Sequence, residues 1–118
     1  NVINEVYASP SNENAWGQPR LGAAALAALR QAMEDRLAEP LSLADLAGLA
    51  RMPRHAFLRA FRAEQGETPA AYLARRRVAR ALPLLAAGLP PAAVAARCGF
   101  ADPARLLRAV RRQGGLGQ

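Results

Sequence analysis

Arginine is the residue type through which this sequence could do chemistry. All 16 basic residues are arginine, with no lysine, and nine acids leave a net charge of +7. A guanidinium keeps its charge and presents a planar fork of donors that fits a phosphate or the O6/N7 edge of guanine. The spacing is helical: Arg59 and Arg62 stand three residues apart, and Arg108 and Arg111 repeat that interval 49 residues later. The charge is also uneven. Residues 1–50 hold three arginines and six acids, whereas residues 51–118 hold thirteen arginines and three acids. The positive field belongs to the C-terminal part, where a polyanion would bind.

Other chemistries lack their parts. Cys98 is the single cysteine, so it forms no internal disulfide or cysteine-based metal site, and it reads as a small buried hydrophobe. His55 is the single histidine, which excludes histidine-based metal ligation and a catalytic histidine pair. Of the three serines, Ser9 and Ser11 fall in a polar leader segment and Ser42 is used as a helix cap. The acids do not converge, and no glycine-rich phosphate loop follows a strand. The expectation is a protein that is not an enzyme and carries no cofactor and no metal. Ala81 to Ala96 is the least charged long stretch, but Gly88 and three prolines interrupt it. With no spanning segment and no secretory signal, the sequence points to the cytoplasm.

The elements that must position the arginines are helices. A chain of 118 residues and 12.5 kDa builds one modest core, and 52% apolar residues with few β-branched side chains favour helix over strand. Residues 1–20, with Pro10, Gly17, Pro19 and Trp16, read as a linker or the remnant of a preceding domain. From Leu21 the pattern is helical, with Leu26, Leu29, Met33 and Leu37 on one face and Glu39-Pro40 as the stop. Ser42 and Asp45 form a capping signature for a short helix to Ala50, which Arg51-Met52-Pro53 interrupts. A helix over about 54–65 turns Phe57 and Phe61 inward and ends at Gly66. Thr68-Pro69 opens a helix towards Gly88, Pro90-Pro91 a short one to Cys98, and Asp102-Pro103 a last one to Gln113.

The chain repeats itself. At an offset of 48, Leu46, Ala47 and Ala50 match Val94, Ala95 and Cys98. At an offset of 49, Phe57, Arg59, Phe61 and Arg62 match Leu106, Arg108, Val110 and Arg111. The slip of one residue falls in the turn. The fold expected is therefore all-α: two helix–turn–helix subdomains, about 41–66 and 89–113, joined by a long linker helix over about 69–87. In such a unit the second helix enters the major groove of double-stranded DNA while the first braces it. With the apolar residues turned inward, His55, Leu58, Arg59 and Arg62 face outward in the first copy. Ala104, Arg105, Arg108 and Arg112 do so in the second, with Arg111 towards the flank. A membrane-surface role fits less well, because the arginine helices use their apolar faces for an internal core. RNA binding lacks stacking aromatics and a strand platform.

Leu43-Ala44-Asp45-Leu46-Ala47, Arg59-Ala60-Phe61-Arg62 and Gly66-Glu67-Thr68-Pro69-Ala70-Ala71-Tyr72-Leu73 stand in a recognisable order. So do Arg77-Val78-Ala79-Arg80-Ala81, Leu84-Leu85 and Val94-Ala95-Ala96-Arg97-Cys98-Gly99-Phe100. Together, over the stretch from Leu41 to Arg112, they resemble the DNA-binding domain of the AraC/XylS family of bacterial transcription regulators, which implies a domain of that type over residues 21–118. The resemblance implies a homeodomain-like arrangement in which two helix–turn–helix units read two successive major-groove segments. By position, His55, Leu58 and Arg59 match the base-reading places of the first unit, and Ala104, Arg105 and Arg108 those of the second. It also implies contact with RNA polymerase, and an effector, if any, bound by a domain this chain does not contain. The sequence departs from the family at four places. Arg51 replaces a turn glycine, Pro83 falls inside the linker helix, Leu107 and Val110 replace an aromatic pair, and Gly114-Gly115-Leu116-Gly117-Gln118 replaces the usual C-terminal continuation. A left-handed Arg51 would be strained by roughly 1 kcal/mol. The second unit is expected to be the softer half and to bind mainly by charge. On the linker helix, Arg77 is expected to pair with an acid, and Arg75, Arg76 and Arg80 to be solvated.

Overall fold

A computed structural model describes residues 20–113. The linker reading of the N-terminal segment, Trp16 included, and the altered ending at Gly114–Gln118 lie outside the described residues, apart from Arg20. Among the described residues the regular elements are six helices: α1 Ala23–Asp35, α2 Leu43–Ala50, α3 Arg54–Gln65, α4 Pro69–Ala86, α5 Pro91–Cys98 and α6 Pro103–Gln113. They form two compact units. Among the described residues, one holds 20–32 with Ser42–Pro69, the other Met33–Leu41 with 70–113.

In the first unit α2 packs on α3. Ser42 caps α2 as its spacing requires: its hydroxyl accepts the Asp45 N–H at 3.0 Å, and the Asp45 carboxylate accepts the Ser42 N–H at 3.0 Å. Leu46 and Ala47 of α2 and Ala56, Phe57, Ala60 and Phe61 of α3 are buried, as are Leu21, Leu26 and Leu29. The two phenylalanine rings lie 5.7 Å apart and tilted, a favourable aromatic contact. The start of α1 is fixed by α3. Both carboxylate oxygens of Glu64 accept backbone N–H groups, from Leu21 at 2.6 Å and Gly22 at 2.9 Å, where a helix N-terminus has no partners of its own.

In the second unit α5 packs on α6, and Val94, Ala95, Cys98 and Leu106 are buried with Ala81 of α4. Leu84, Leu85, Leu89, Phe100 and Val110 close over them. Helix α4 runs through Pro83 to Ala86. Ala79, whose carbonyl the proline cannot bond, and Pro83 are both exposed residues. Cys98 is fully buried, and burial pushes its thiol up from its ordinary value, so it packs as an uncharged hydrophobe.

Two expectations need correction. Helix α1 ends at Asp35 rather than near Glu39, although the apolar period continues to the buried Leu37. The reason lies in the arginines of α4. Arg77 does not pair with an acid: its Nε donates to the Leu37 carbonyl at 2.9 Å and its Nη2 to the Glu39 carbonyl at 2.8 Å. Nor are its neighbours merely solvated. Arg76 binds the Glu34 carboxylate at 3.1 Å, Arg80 donates to the Glu34 carbonyl and carboxylate at 3.1 and 3.3 Å, and Arg75 lies over the Tyr72 ring at 5.3 Å. Guanidinium groups from α4 thus satisfy the orphan carbonyls after α1 in place of further helical turns.

This cluster makes stability depend on pH. The Arg76 hydrogen bond, reinforced by the charges of Arg76 and Arg80 and partly opposed by burial, holds the Glu34 carboxyl below its ordinary value. A lowered folded pKa stabilises fully above the unfolded value, and that stabilisation fades as pH falls through the folded one. Glu34→Gln is therefore expected to flatten the acid limb of stability below about pH 5, read by urea denaturation across pH. An unchanged limb would assign the acid sensitivity to other carboxylates.

Candidate nucleic-acid interface

Each unit places its arginines by burying the opposite side of one helix. In α3, Ala56, Phe57, Ala60 and Phe61 take the inner face, which leaves His55, Arg59 and Arg62 exposed and Leu58 half-buried beside them. Residues 55, 58, 59 and 62 follow the i, i+3, i+4, i+7 pattern of a single helical face. In α6, Leu106 is fully buried and Val110 partly so, and Ala104, Arg105, Arg108, Arg111 and Arg112 are all exposed. Every sequence-derived site residue except Leu58 is thus exposed, and each set lies together on its own helix.

The turns that aim these helices differ in chemistry. Helix α2 ends on Arg51 in the left-handed conformation, φ 59° and ψ 42°. The N–H groups of Arg51 and Met52 return to the Gly48 and Ala47 carbonyls at 3.1 and 3.0 Å. Pro53 then starts α3 without a side-chain cap. Helix α5 ends on Gly99, also left-handed, with the Phe100 N–H on the Ala95 carbonyl at 2.9 Å. Asp102 caps α6, its carboxylate accepting the Arg105 N–H at 2.8 Å. The same carboxylate lies 3.7 Å from Arg105 Nε in an exposed pair. Pairs of this kind contribute about 0–1 kcal/mol, so Arg105 can exchange Asp102 for a ligand.

The electrostatics of the two units diverge. Among the described residues, the first unit has six arginines against three acids and the second ten against four. The outer face of α3 mixes imidazole, leucine and guanidinium, whereas that of α6 is almost entirely guanidinium. Three features escaped the sequence reading: Glu64 gripping the entry to α1, Arg76 and Arg80 on Glu34, and Arg77 on backbone carbonyls. The run Arg75-Arg76-Arg77, with Arg80 one turn on, was the visible signal of the last two.

With this geometry in hand, comparison with known proteins is direct. A family model described as a helix-turn-helix domain matches residues 46–116, more than half of the chain. A solved structure of the DNA-binding domain of AdpA, a global transcriptional factor, in complex with a target DNA, is 36% identical. The match covers 76% of this chain and 82% of that one, with a TM-score of 0.72. The chain belongs to the AraC-type helix-turn-helix family. A second AraC-type transcriptional regulator, from Chromobacterium violaceum, is 26% identical over 76% of this chain and 81% of that one, with a TM-score of 0.69. No curated protein matches.

The family assignment gives the helices their places. In chain order α2 and α5 stand first and α3 and α6 second within their helix–turn–helix pairs. No described helix is long and apolar enough to cross a membrane.

Proposed function

We propose that this chain is the DNA-reading part of a transcription regulator, and that α3 and α6 enter two successive major-groove segments of double-stranded DNA. The observation that carries the reading is the pairing of exposed arginines at equivalent places, Arg59 with Arg108 and Arg62 with Arg111, each opposite a buried apolar face. A solvated surface alone gives no reason for that repetition. His55, Leu58, Arg59 and Arg62 contact base edges in the first unit, with Leu58 suited to a thymine methyl group. In the second unit Ala104 lets the helix approach closely, while Arg105, Arg108, Arg111 and Arg112 grip phosphates and guanine edges. The protein acts at the nucleoid through contact with RNA polymerase, and any effector is bound outside these helices. The chemistry is recognition, not catalysis.

The test is a salt titration against duplexes selected from a random pool. Log affinity should fall linearly with log salt with a slope of several units, and preference for the selected sequence should survive moderate salt. Equal affinity for scrambled duplex or for anionic vesicles would overturn the proposal. Arg59→Ala is expected to weaken the selected duplex by about 1–3 kcal/mol and to relax preference at one base pair. A uniform loss on every sequence would make Arg59 a phosphate contact instead.

A further inference from the structure

Arg51 is the only non-glycine residue with positive φ among the described residues; the other four such positions are Gly22, Gly66, Gly88 and Gly99. The internal repeat sharpens the contrast. An offset of 48 sets Arg51 against Gly99, and both close the first helix of a helix–turn–helix in the left-handed conformation. Gly99 has no room for a side chain, because an added Cβ would stand 2.5 Å from the Leu37 carbonyl oxygen. At residue 51 the side chain points into solvent instead. The first turn therefore holds a strained residue that glycine would relieve, in a fold whose second copy uses glycine at that place. The next charged residue, Arg54, opens α3, where the helix macrodipole disfavours a cation and the first turn has no acid to compensate. It too is exposed. Two cations thus sit against the local conformational and electrostatic preference at the mouth of the recognition helix.

We infer that Arg51, seconded by Arg54, is a DNA-phosphate contact that fixes the register of α3 in the groove. This rests on the DNA-binding reading above. Arg51 precedes α3 and lies off its base-facing stripe, and Arg54 stands at the edge of that stripe, one turn before Leu58. The contribution of Arg51 is therefore to affinity and orientation rather than to sequence choice. A long guanidinium arm from a left-handed turn reaches away from its helix, which suits the sugar-phosphate ridge beside a groove.

The full chain with Arg51→Gly tests this. The variant should be no less stable to urea than the parent, because it loses strain. Its affinity should drop about three- to tenfold on the selected and the scrambled duplex alike, and its salt slope should shrink by about one. Arg51→Lys, which keeps the charge, should recover most of the loss. Unchanged affinity and slope in Arg51→Gly while the parent binds would overturn the inference alone, and so would a loss confined to one sequence. A parent chain without duplex affinity would overturn the DNA-binding reading itself.

Discussion

Phe57→Ala is expected to destabilise the chain by about 3–5 kcal/mol and to remove sequence preference with it. Phe57 has no exposed surface, and its ring meets that of Phe61 at 5.7 Å. Of the other buried residues of α3, Ala56 and Ala60 are too small to fill the space a phenyl ring leaves, and Phe61 is already fully buried. A cavity there loses the transfer free energy of the ring and the contacts of its lining together. The consequence for binding is geometric. His55, Leu58, Arg59 and Arg62 are aimed only because α3 is seated by its aromatic side. Urea denaturation and duplex affinity, measured on the same preparation, check the linkage. Arg59→Ala serves as the control, since an exposed residue should change stability by no more than about 0.5 kcal/mol. Phe57→Ala matching that control in stability would show that α3 is held by something other than its phenylalanines.

The inner faces were legible because burial leaves a periodic trace. Leu46 and Val94, Ala47 and Ala95, Phe57 and Leu106 are matched by offset in the sequence and are all buried in the structure. Capping was legible for a similar reason: Ser42 with Asp45, and Asp102 three residues before Arg105, place short polar side chains where free N–H groups must be satisfied. The glycine usual at the place of Arg51 raised the question of a left-handed turn, and the φ of 59° answers it. Long-range partners of charged residues left no such trace. Arg77 and Arg76 are adjacent in the chain, yet one serves backbone carbonyls and the other a carboxylate. Which does which depends on where the turn after α1 passes, and periodicity does not encode that. The early end of α1 was hidden for the same reason, because Leu37 remains a core residue after the helix has stopped.

The two units seat their arginine-bearing helices with different side chains. Phe61 is fully buried in the first unit, whereas its counterpart Val110 is only partly buried, and Leu107 is 42% exposed. Phe100, from the turn rather than the recognition helix, supplies the aromatic bulk of the second core. Helix α6 is therefore seated by Leu106 with help from its surroundings, while its outer face carries four arginines. A face so highly charged suits attraction to a phosphate backbone, which tolerates small displacements.

That dependence on surroundings gives Gly99→Ala an effect comparable to losing a core phenylalanine. At φ 89° any side chain is strained by about 1–2 kcal/mol. The added Cβ would also stand 2.5 Å from the Leu37 carbonyl oxygen and 2.7 Å from Arg77 Nε, the two ends of a 2.9 Å hydrogen bond. Leu37 contributes a backbone atom there, so the clash is not relieved by turning a flexible side chain. Arg77 is desolvated enough for burial to lower its pKa, and displacing it strands its charge and two carbonyls. A hydrogen bond to a charged group contributes about 1.5–3 kcal/mol, so the combined loss should reach about 3–5 kcal/mol. Gly66→Ala separates the two causes. Gly66 has the same φ of 89°, but an added Cβ there would meet nothing within 4 Å, so only the strain of about 1–2 kcal/mol should appear. Urea denaturation of both variants decides the matter: equal losses would mean that the turn yields and Arg77 is not displaced, while a clearly larger loss at Gly99 identifies the arginine-carbonyl lock as what holds the second reading helix in place.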